Sequence, residues 1–188
     1  SFSVYNKVED HGLVHWMTFE EAVKKNKKAP RMIMIDIYTT WCGPCKLLSS
    51  NTFGNEKIAK YLNEKFYCVK FDAETRDTVK FTLNVPDTVR NKAGKVIKIK
   101  TKPQTYVYYN TFPKDAQRST HQFAASVIQP QQVAFPSIVF IDKDIKKLDL
   151  LQGYMPPTQF EPIIKFFGSE AYKTTKWEAY QKSFKSEL

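Results

Sequence analysis

Long apolar runs are missing from this sequence. No stretch approaches the ~20 consecutive apolar residues that a membrane-spanning helix needs, so we expect no membrane span. No signal peptide is visible either, but because the chain starts at Ser1 without an initiator Met, this says little about the compartment. Repeats and low-complexity tracts are also lacking, and 42% of the residues are hydrophobic, which predicts a single globular domain over residues 1–188.

Signatures of nucleic-acid binding are absent as well. The net charge is +10, but there is no arginine-rich arm, RNP motif or zinc finger, so we predict no nucleic-acid partner. The densest basic cluster spans 23–31 and is interpreted as the end of a solvated helix followed by a loop. A surface that attracts acidic partners or membranes is the alternative.

Cysteine is scarce, with three residues in the chain. Cys68 lies in the apolar run FYCVKFD and is interpreted as an inert thiol in a buried strand. Cys42 and Cys45 form a CxxC pair, which is a redox dithiol, a metal clip or a static disulfide. A tetrahedral zinc site would need two further ligands, and only Cys68 and three unpaired histidines remain. The sequence therefore favours redox chemistry and predicts no metal.

Hydrophobic periodicity and helix-capping residues predict an alternation of helices and strands. Thr18 and Asn55 are candidate helix N-caps, Thr18 in a capping box with Glu21. The continuous apolar run at 31–40 is typical of a strand buried on both faces. The elements predicted up to the middle of the chain are helices in 15–30, 43–53 and 55–66 and strands in 31–40 and 66–74.

The second half of the sequence is less regular. We predict an inserted α/β segment over about 75–132, with a hairpin or two short strands in 92–110 and a short helix in 118–129. Ser119 or Thr120 is the candidate cap of that helix, and His121 is expected to face solvent. Thr158 and Gly168 are the predicted start and stop of a later helix. The remaining elements are strands in 135–142 and 144–154, helices in 156–168 and 173–184, and a C-terminal helical extension over about 169–186 that docks on the back of the sheet.

The CxxC motif follows the first long strand and opens a helix, with Pro44 in the first turn. Unpaired N–H groups and the helix dipole favour an anion at that position. They would lower the pKa of Cys42, and the thiolate is the nucleophile in disulfide exchange. Cys45, one turn later and expected to be more buried, would then resolve the mixed disulfide.

The segment WCGPCK, residues 41–46, resembles the active site of thioredoxins residue for residue. Asp36, Lys70, Pro136 and Gly153 also match thioredoxin positions, over about 32–72 and 133–168. The resemblance implies an α/β thioredoxin fold, a central mixed sheet flanked by helices. It also implies that the Cys42–Cys45 disulfide is the redox group, with no further cofactor.

Roles follow from the resemblance for these residues. Asp36 would be a buried acid whose raised pKa lets it accept the Cys45 proton, rather than a strand-edge acid in solvent. Lys70 would be its partner, or simply a surface lysine. Pro136 would form a cis peptide, rather than being an ordinary strand-start proline, and would leave the Phe135 backbone free to pair with substrate. The substrate groove would comprise Trp41, Gly43, Pro44, Phe135, Pro136 and Gly153.

The sequence departs from thioredoxin in Tyr38, Thr39 and Thr40, at the groove rim, and in the long insertion. The insertion makes the chain similar to envelope-localised thioredoxin-like proteins of Gram-negative bacteria. This implies a periplasmic or envelope location, with the cytoplasm as the alternative. The Gly-Pro pair between the cysteines is that of reducing members of the family.

We therefore predict a protein disulfide reductase that acts as a monomer on protein thiols and disulfides. An upstream electron donor would return it to the reduced state. An envelope oxidase or isomerase is one alternative. A binding module with a vestigial redox centre is another.

Overall fold

The computed structural model describes residues 12–188; the predicted domain limits of 1–188 therefore extend beyond the described residues. The strands are β1 to β7 and the helices α1 to α6, joined in places by single turns of π- or 3-10 helix. The strands are Trp16–Met17, Met32–Tyr38, Phe66–Asp72, Val79–Arg90, Val96–Tyr108, Ser137–Ile141 and Lys147–Gln152. The helices are Phe19–Lys28, Gly43–Leu47, Glu56–Lys65, Gln122–Ile128, Pro157–Gly168 and Trp177–Ser183.

Within residues 12–188, the main sheet has five strands in the order β1-β3-β2-β6-β7. Strands β1 and β2 pair parallel to β3, whereas β6 runs antiparallel to both β2 and β7. The central strand β2 is buried along its length except at Tyr38, which confirms the interpretation of its apolar run. The predicted mixed α/β sheet is therefore present.

Helices cover both faces of this sheet because successive side chains of β2 point to opposite sides. Ile33, Ile35 and Ile37 pack with α1 and α4 in one apolar cluster. Met32 and Met34 pack with α3 and α5 in the other. Asp36 shares the parity of the two methionines and points to the same side of the sheet.

The first predicted helix starts later than its sequence suggests. Trp16 and Met17 form the edge strand β1 beside β3, and α1 begins only after Thr18. The Thr18 hydroxyl accepts the Glu21 N–H, and the Glu21 carboxylate accepts the Thr18 N–H in return. This confirms the capping box. Asn55 is likewise the N-cap of α3, where its side chain accepts two backbone N–H groups.

The predicted start of helix α5 needs correction, whereas its predicted end at Gly168 is confirmed. Its N-cap is Pro156 and not Thr158, which lies inside the helix, because the two prolines Pro156 and Pro157 fix the helical start without a side-chain cap. Gly168 is the last helical residue. A Cβ there would lie 2.8 Å from the Tyr61 ring, so this end of α5 approaches α3 more closely than a larger residue allows.

The predicted insertion contains one long hairpin, and the prediction placed it wrongly. Residues 96–108 form a single strand, β5, whose partner β4 lies upstream at 79–90. The Asn91 side chain accepts the Ala93 and Lys95 N–H groups, and Gly94 adopts a positive φ of 78°. This turn reverses the chain at 91–95. Helix α4, by contrast, is part of the main body, because Phe123 is buried in the core.

The base of the hairpin is packed and its far end is exposed. Phe81 stacks on Tyr108, and both rings contact Phe123 of α4. At the far end, Ile97 and Ile99 are 62% and 70% exposed. The base of the hairpin is thus anchored on the side of the sheet covered by α1 and α4.

The C-terminal helix α6 is present as predicted. Trp177 and Tyr180 both contact Phe166 of α5, with ring centroids 5.3 and 5.1 Å apart. The predicted docking on the back of the sheet is therefore made through α5. Between residues 12 and 188, no helix combines the length and apolar composition needed to cross a bilayer.

Candidate redox site at Cys42 and Cys45

The two CxxC cysteines form a disulfide, with their Cα atoms 5.3 Å apart. Cys42 is the N-cap of α2, and its Sγ accepts the Cys45 N–H at 3.2 Å. Pro44 lies in the first turn, where its missing N–H is not needed. The strand β2 thus delivers the pair to a helix start, as the spacing predicted.

One prediction about this pair is wrong. Cys42 is 3% exposed and Cys45 is 6% exposed, so Cys45 is not the more buried residue. The cross-link holds the two side chains together, and they share one environment. The assignment of Cys42 as nucleophile therefore depends on its position at the helix start and not on access.

Asp36 is buried, at 2% exposure, so the alternative of a strand-edge acid in solvent is wrong. Burial raises its pKa to about 6, although the nearby Lys70 ammonium acts to lower it. One carboxylate oxygen, Oδ1, has no hydrogen-bond partner within residues 12–188. A group that titrates near neutrality is suited to accept a proton, and the role in proton transfer stays a prediction.

Lys70 pairs with Asp36 across neighbouring strands, Nζ to Oδ2 at 3.7 Å. Its ammonium also lies 5.0 and 5.1 Å from the ring centroids of Trp16 and Tyr38. The lysine is therefore not a plain surface residue. It places a positive charge beside the buried carboxylate and favours the ionised form of that group.

Three predicted groove residues come from the opposite end of the chain. The Phe135–Pro136 peptide is cis, and the Gly153 N–H donates to the Pro136 carbonyl at 2.9 Å. Gly153 has a φ of 90°, which suits glycine. In the part of the chain that the structure describes, the Phe135 backbone makes no hydrogen bond, so it is available to an extended segment.

Trp41 precedes Cys42 and stands at the edge of the site with 46% of its surface exposed. Its Nε1 donates to Glu74 Oε2 at 3.1 Å, and its ring meets Phe135 edge-on at 6.1 Å. Gly43 and Pro44 are exposed beside it. The six predicted groove residues thus form two groups, Trp41 to Pro44 and Phe135, Pro136 and Gly153, joined by the contact of Trp41 with Phe135.

Two residues of this region were missed in the sequence. The Arg118 guanidinium carbon lies 4.2 Å from the Trp41 ring centroid. Glu74 holds the same indole and also accepts the Ser119 N–H at 3.2 Å. No sequence signal could have indicated them, because Glu74 lies 33 residues from Trp41 along the chain and Arg118 lies further still, in a polar loop.

His121 does not face solvent, contrary to the prediction; it is fully buried. It is the N-cap of α4, in place of Ser119 or Thr120, because its Nδ1 accepts the Phe123 N–H at 3.0 Å. This bond leaves Nε2 to donate to the Asp77 carbonyl at 2.9 Å. Burial lowers the pKa of His121, although the bond to Asp77 opposes this, so burial favours the neutral form of the ring.

Cys68 is a free thiol buried in β3, and burial raises its pKa. The interpretation as a core residue is thereby confirmed. Throughout residues 12–188, no group of three or more His, Cys, Asp or Glu side chains could hold a metal ion.

Comparison with known proteins places the chain in a family. The family model Thioredox_DsbH, described as a protein of unknown function, DUF255, matches residues 1–137. The chain belongs to the Thioredox_DsbH family. This match includes the β4–β5 hairpin and α4, which the thioredoxin resemblance of the sequence left out.

One relative of this Thioredox_DsbH chain is a much longer protein. Spermatogenesis-associated protein 20 from Mus musculus is 36% identical over 67 residues, which are 35% of this chain and 8% of the mouse protein. The chain therefore spans less than a tenth of that relative.

Solved structures share the thioredoxin fold. A thioredoxin-fold protein from Helicobacter pylori aligns with a TM-score of 0.54 and 20% identity, over 81% of this chain and 83% of its own. A structure described as DsbH oxidoreductase aligns with a TM-score of 0.50 and 15% identity, over 86% of both chains.

Proposed function

We propose that this protein is a thiol-disulfide oxidoreductase that reduces protein disulfides. The observation that carries the proposal is the Cys42–Cys45 disulfide at the start of α2. The buried Asp36 with its raised pKa supports the proposal. The name of the structural relative described as DsbH oxidoreductase supports the same class of reaction.

The reaction has two exchange steps. In the reduced protein, the Cys42 thiolate attacks one sulfur of a substrate disulfide; that S–S bond breaks, and the first substrate thiol leaves with a proton from water. Cys45 then loses its proton to Asp36 and attacks Cys42 Sγ. The S–S bond between Cys42 and the substrate breaks, the Cys42–Cys45 disulfide forms, and the second substrate sulfur leaves as a thiolate that takes a proton from water.

Two electrons pass to the substrate in this cycle, so a separate dithiol donor must reduce the protein again. The cysteine pair is the redox group, and no cofactor is required. We place the protein as a monomer in the envelope of a Gram-negative bacterium, with the cytoplasm as the alternative.

The surface around the pair suits an extended substrate. The free backbone of Phe135 can pair with a substrate strand, and the exposed Trp41, Gly43 and Pro44 face the same region. Backbone pairing accepts many sequences, because side chains contribute specificity only where the groove offers additional contacts.

Trapping tests the class of reaction. A Cys45→Ala variant should retain its partner as a mixed disulfide on Cys42, because the resolving thiol is missing. Cys42→Ala is the matched control and should trap nothing. Adducts on Cys45 in the control, with none on Cys42 in the test variant, would reverse the two roles.

The direction of electron flow is tested by the reduction potential. Reducing proteins of this chemistry lie near about −270 mV and strong oxidants near about −120 mV. We expect a value nearer the first, measured by equilibration with glutathione buffers. A value above about −150 mV would instead support an envelope oxidase.

The alternative of a binding module with a vestigial redox centre has its own test. If a Cys42→Ser variant kept every partner and phenotype of the wild type, the protein would be a binding module. In that case the redox pair would have no role in the cell.

A further inference from the structure

The loop that follows β5, here called the crossing loop (residues 109–121), is fastened to the segment after β3. The Asn110 side chain donates to the Thr75 carbonyl at 3.1 Å and to Ser119 Oγ at 3.0 Å. At its end, the His121 N–H donates to the Ala73 carbonyl at 2.7 Å. The loop is therefore held against the end of β3, next to the redox pair.

A guanidinium strengthens this attachment. Arg76 donates to the Phe112 carbonyl at 2.6 Å and to the Pro113 carbonyl at 2.9 Å. Bonds from a charged donor are stronger than neutral ones. The crossing loop thus has a defined position, although most of it is exposed.

This position sets Arg118 over the indole of Trp41, at 4.2 Å from the ring centroid. The indole itself is fixed by its bond to Glu74 and its contact with Phe135. Trp41 precedes the predicted nucleophile Cys42, and Phe135 precedes Pro136. Arg118 therefore stands at the rim of the surface on which a substrate must lie.

The charge of Arg118 is available to a ligand. One of its nitrogens donates to the neighbouring Gln117 carbonyl at 3.0 Å, and within residues 12–188 it forms no ion pair. The acid on the same indole, Glu74, already has one carboxylate oxygen on Trp41 and the other on Ser119. A guanidinium has five N–H donors in a planar fork that matches a carboxylate.

We propose that Arg118 is a specificity-determining residue that selects protein disulfides with a carboxylate side chain beside the target cysteine. The inference rests on the proposed function, because it names the substrate class of that site. Arg118 takes no part in bond breaking; it pairs with the substrate carboxylate while Cys42 exchanges with the neighbouring sulfur.

The test uses three disulfide-bonded peptides that differ only in the residue next to one cysteine: Glu, Gln or Lys. The rate of oxidation of the pre-reduced protein by each peptide, measured at several peptide concentrations, gives a second-order rate constant for the exchange. We expect the Glu peptide to react about 5- to 20-fold faster than the Gln peptide, and the Lys peptide to react most slowly. The preference should shrink at high salt because it is electrostatic.

Variants separate the local contact from net charge. Arg118→Gln should abolish the ratio between the Glu and Gln peptides, and Arg118→Lys should restore part of it, because the charge returns without the fork. Arg90→Gln is the matched control. It removes the same charge from the exposed far end of the hairpin, and the ratio should stay as in the wild type.

The outcomes distinguish the two proposals. If the wild type exchanges with all three peptides at equal rates, or if Arg118→Gln keeps the ratio, the role of Arg118 is refuted and the redox function stands. If the wild type exchanges with none of them in either direction, the proposed function itself fails. Unchanged thermal unfolding of each variant shows that the comparison concerns binding.

Discussion

Replacing Asp36 by Asn should raise the stability of the oxidised protein relative to the wild type as the pH rises. The pKa of the buried carboxyl is raised from 3.8 to about 6, so the folded state holds this proton more tightly than the unfolded chain does. Below about pH 4 both states are protonated and ionisation contributes nothing. As the pH rises through about 6, the wild type loses stability, because the folded protein must then hold a buried anion.

The magnitude follows from the shift. About two pKa units at 1.36 kcal/mol each give about 3 kcal/mol between pH 4 and pH 7. The buried amide of Asn also destabilises the variant by about 1–3 kcal/mol, because the site of Oδ1 offers it no hydrogen-bond partner. This offset is independent of pH, so the pH-dependent part of the difference is the quantity to compare.

Urea unfolding of oxidised wild type and Asp36→Asn at several pH values between 4 and 8 measures this difference. A difference that stays flat across the range, or that favours the wild type more as the pH rises, would refute the reasoning. In the first case the carboxyl would titrate alike in the folded and unfolded states.

Glu161→Gln is a control with the opposite sign. Glu161 is also buried, at 1% exposure. Burial acts to raise its pKa, but hydrogen bonds from the Ser186 hydroxyl, the Glu187 N–H and the Lys165 ammonium outweigh it and hold the pKa below its usual value. The stabilisation by ionised Glu161 is present above the ordinary pKa and is lost as the pH falls. The free energy of unfolding of Glu161→Gln should therefore fall relative to that of the wild type as the pH rises.

Three further predictions concern the core, the crossing loop and a turn. Cys68 should resist alkylation by iodoacetamide in the native oxidised protein and react in urea, as seen by mass spectrometry; rapid native labelling would contradict its burial. His121→Asn should remove a loss of thermal stability that the wild type shows below about pH 6.5, because burial disfavours the charged ring; identical melting profiles would refute this. Gly54→Ala should lower the free energy of unfolding by about 1–3 kcal/mol, since its Cβ would lie 2.1 Å from the Ser50 carbonyl oxygen; a neutral effect in urea unfolding would contradict it.

The sequence predicts best where a local pattern has one physical meaning. The short apolar run MIMIDIY is typical of a strand buried on both faces, and β2 is such a strand except at Tyr38. Thr18 and Asn55 cap helices because their side chains accept N–H groups only two or three residues away. Within the site, the disulfide of Cys42 with Cys45 and the burial of Asp36 were predictable for the same reason, together with the family resemblance.

The failures depend on contacts between distant segments. Strand β4 mixes polar and apolar residues and contains Pro86, so it becomes recognisable only through its pairing with β5. His121 looks like a polar helix residue, and its burial arises from carbonyl and N–H groups that the folded chain brings around it. Arg118 carries no motif, and its contact with Trp41 depends on the path of the whole crossing loop.

The hairpin and the crossing loop also affect the order in which the sheet is completed during synthesis. Strand β2 can pair with β3 once residue 72 has left the ribosome, but its other neighbour, β6, starts only at Ser137. At roughly 5–20 residues per second, the interval lasts on the order of 3–13 s. Through that time the central strand of the nascent chain has an open edge, and the cysteines at its end lack the Pro136 segment. The segment that brings Arg118 to the redox site thus also delays the assembly of that site, because it must be synthesised before β6.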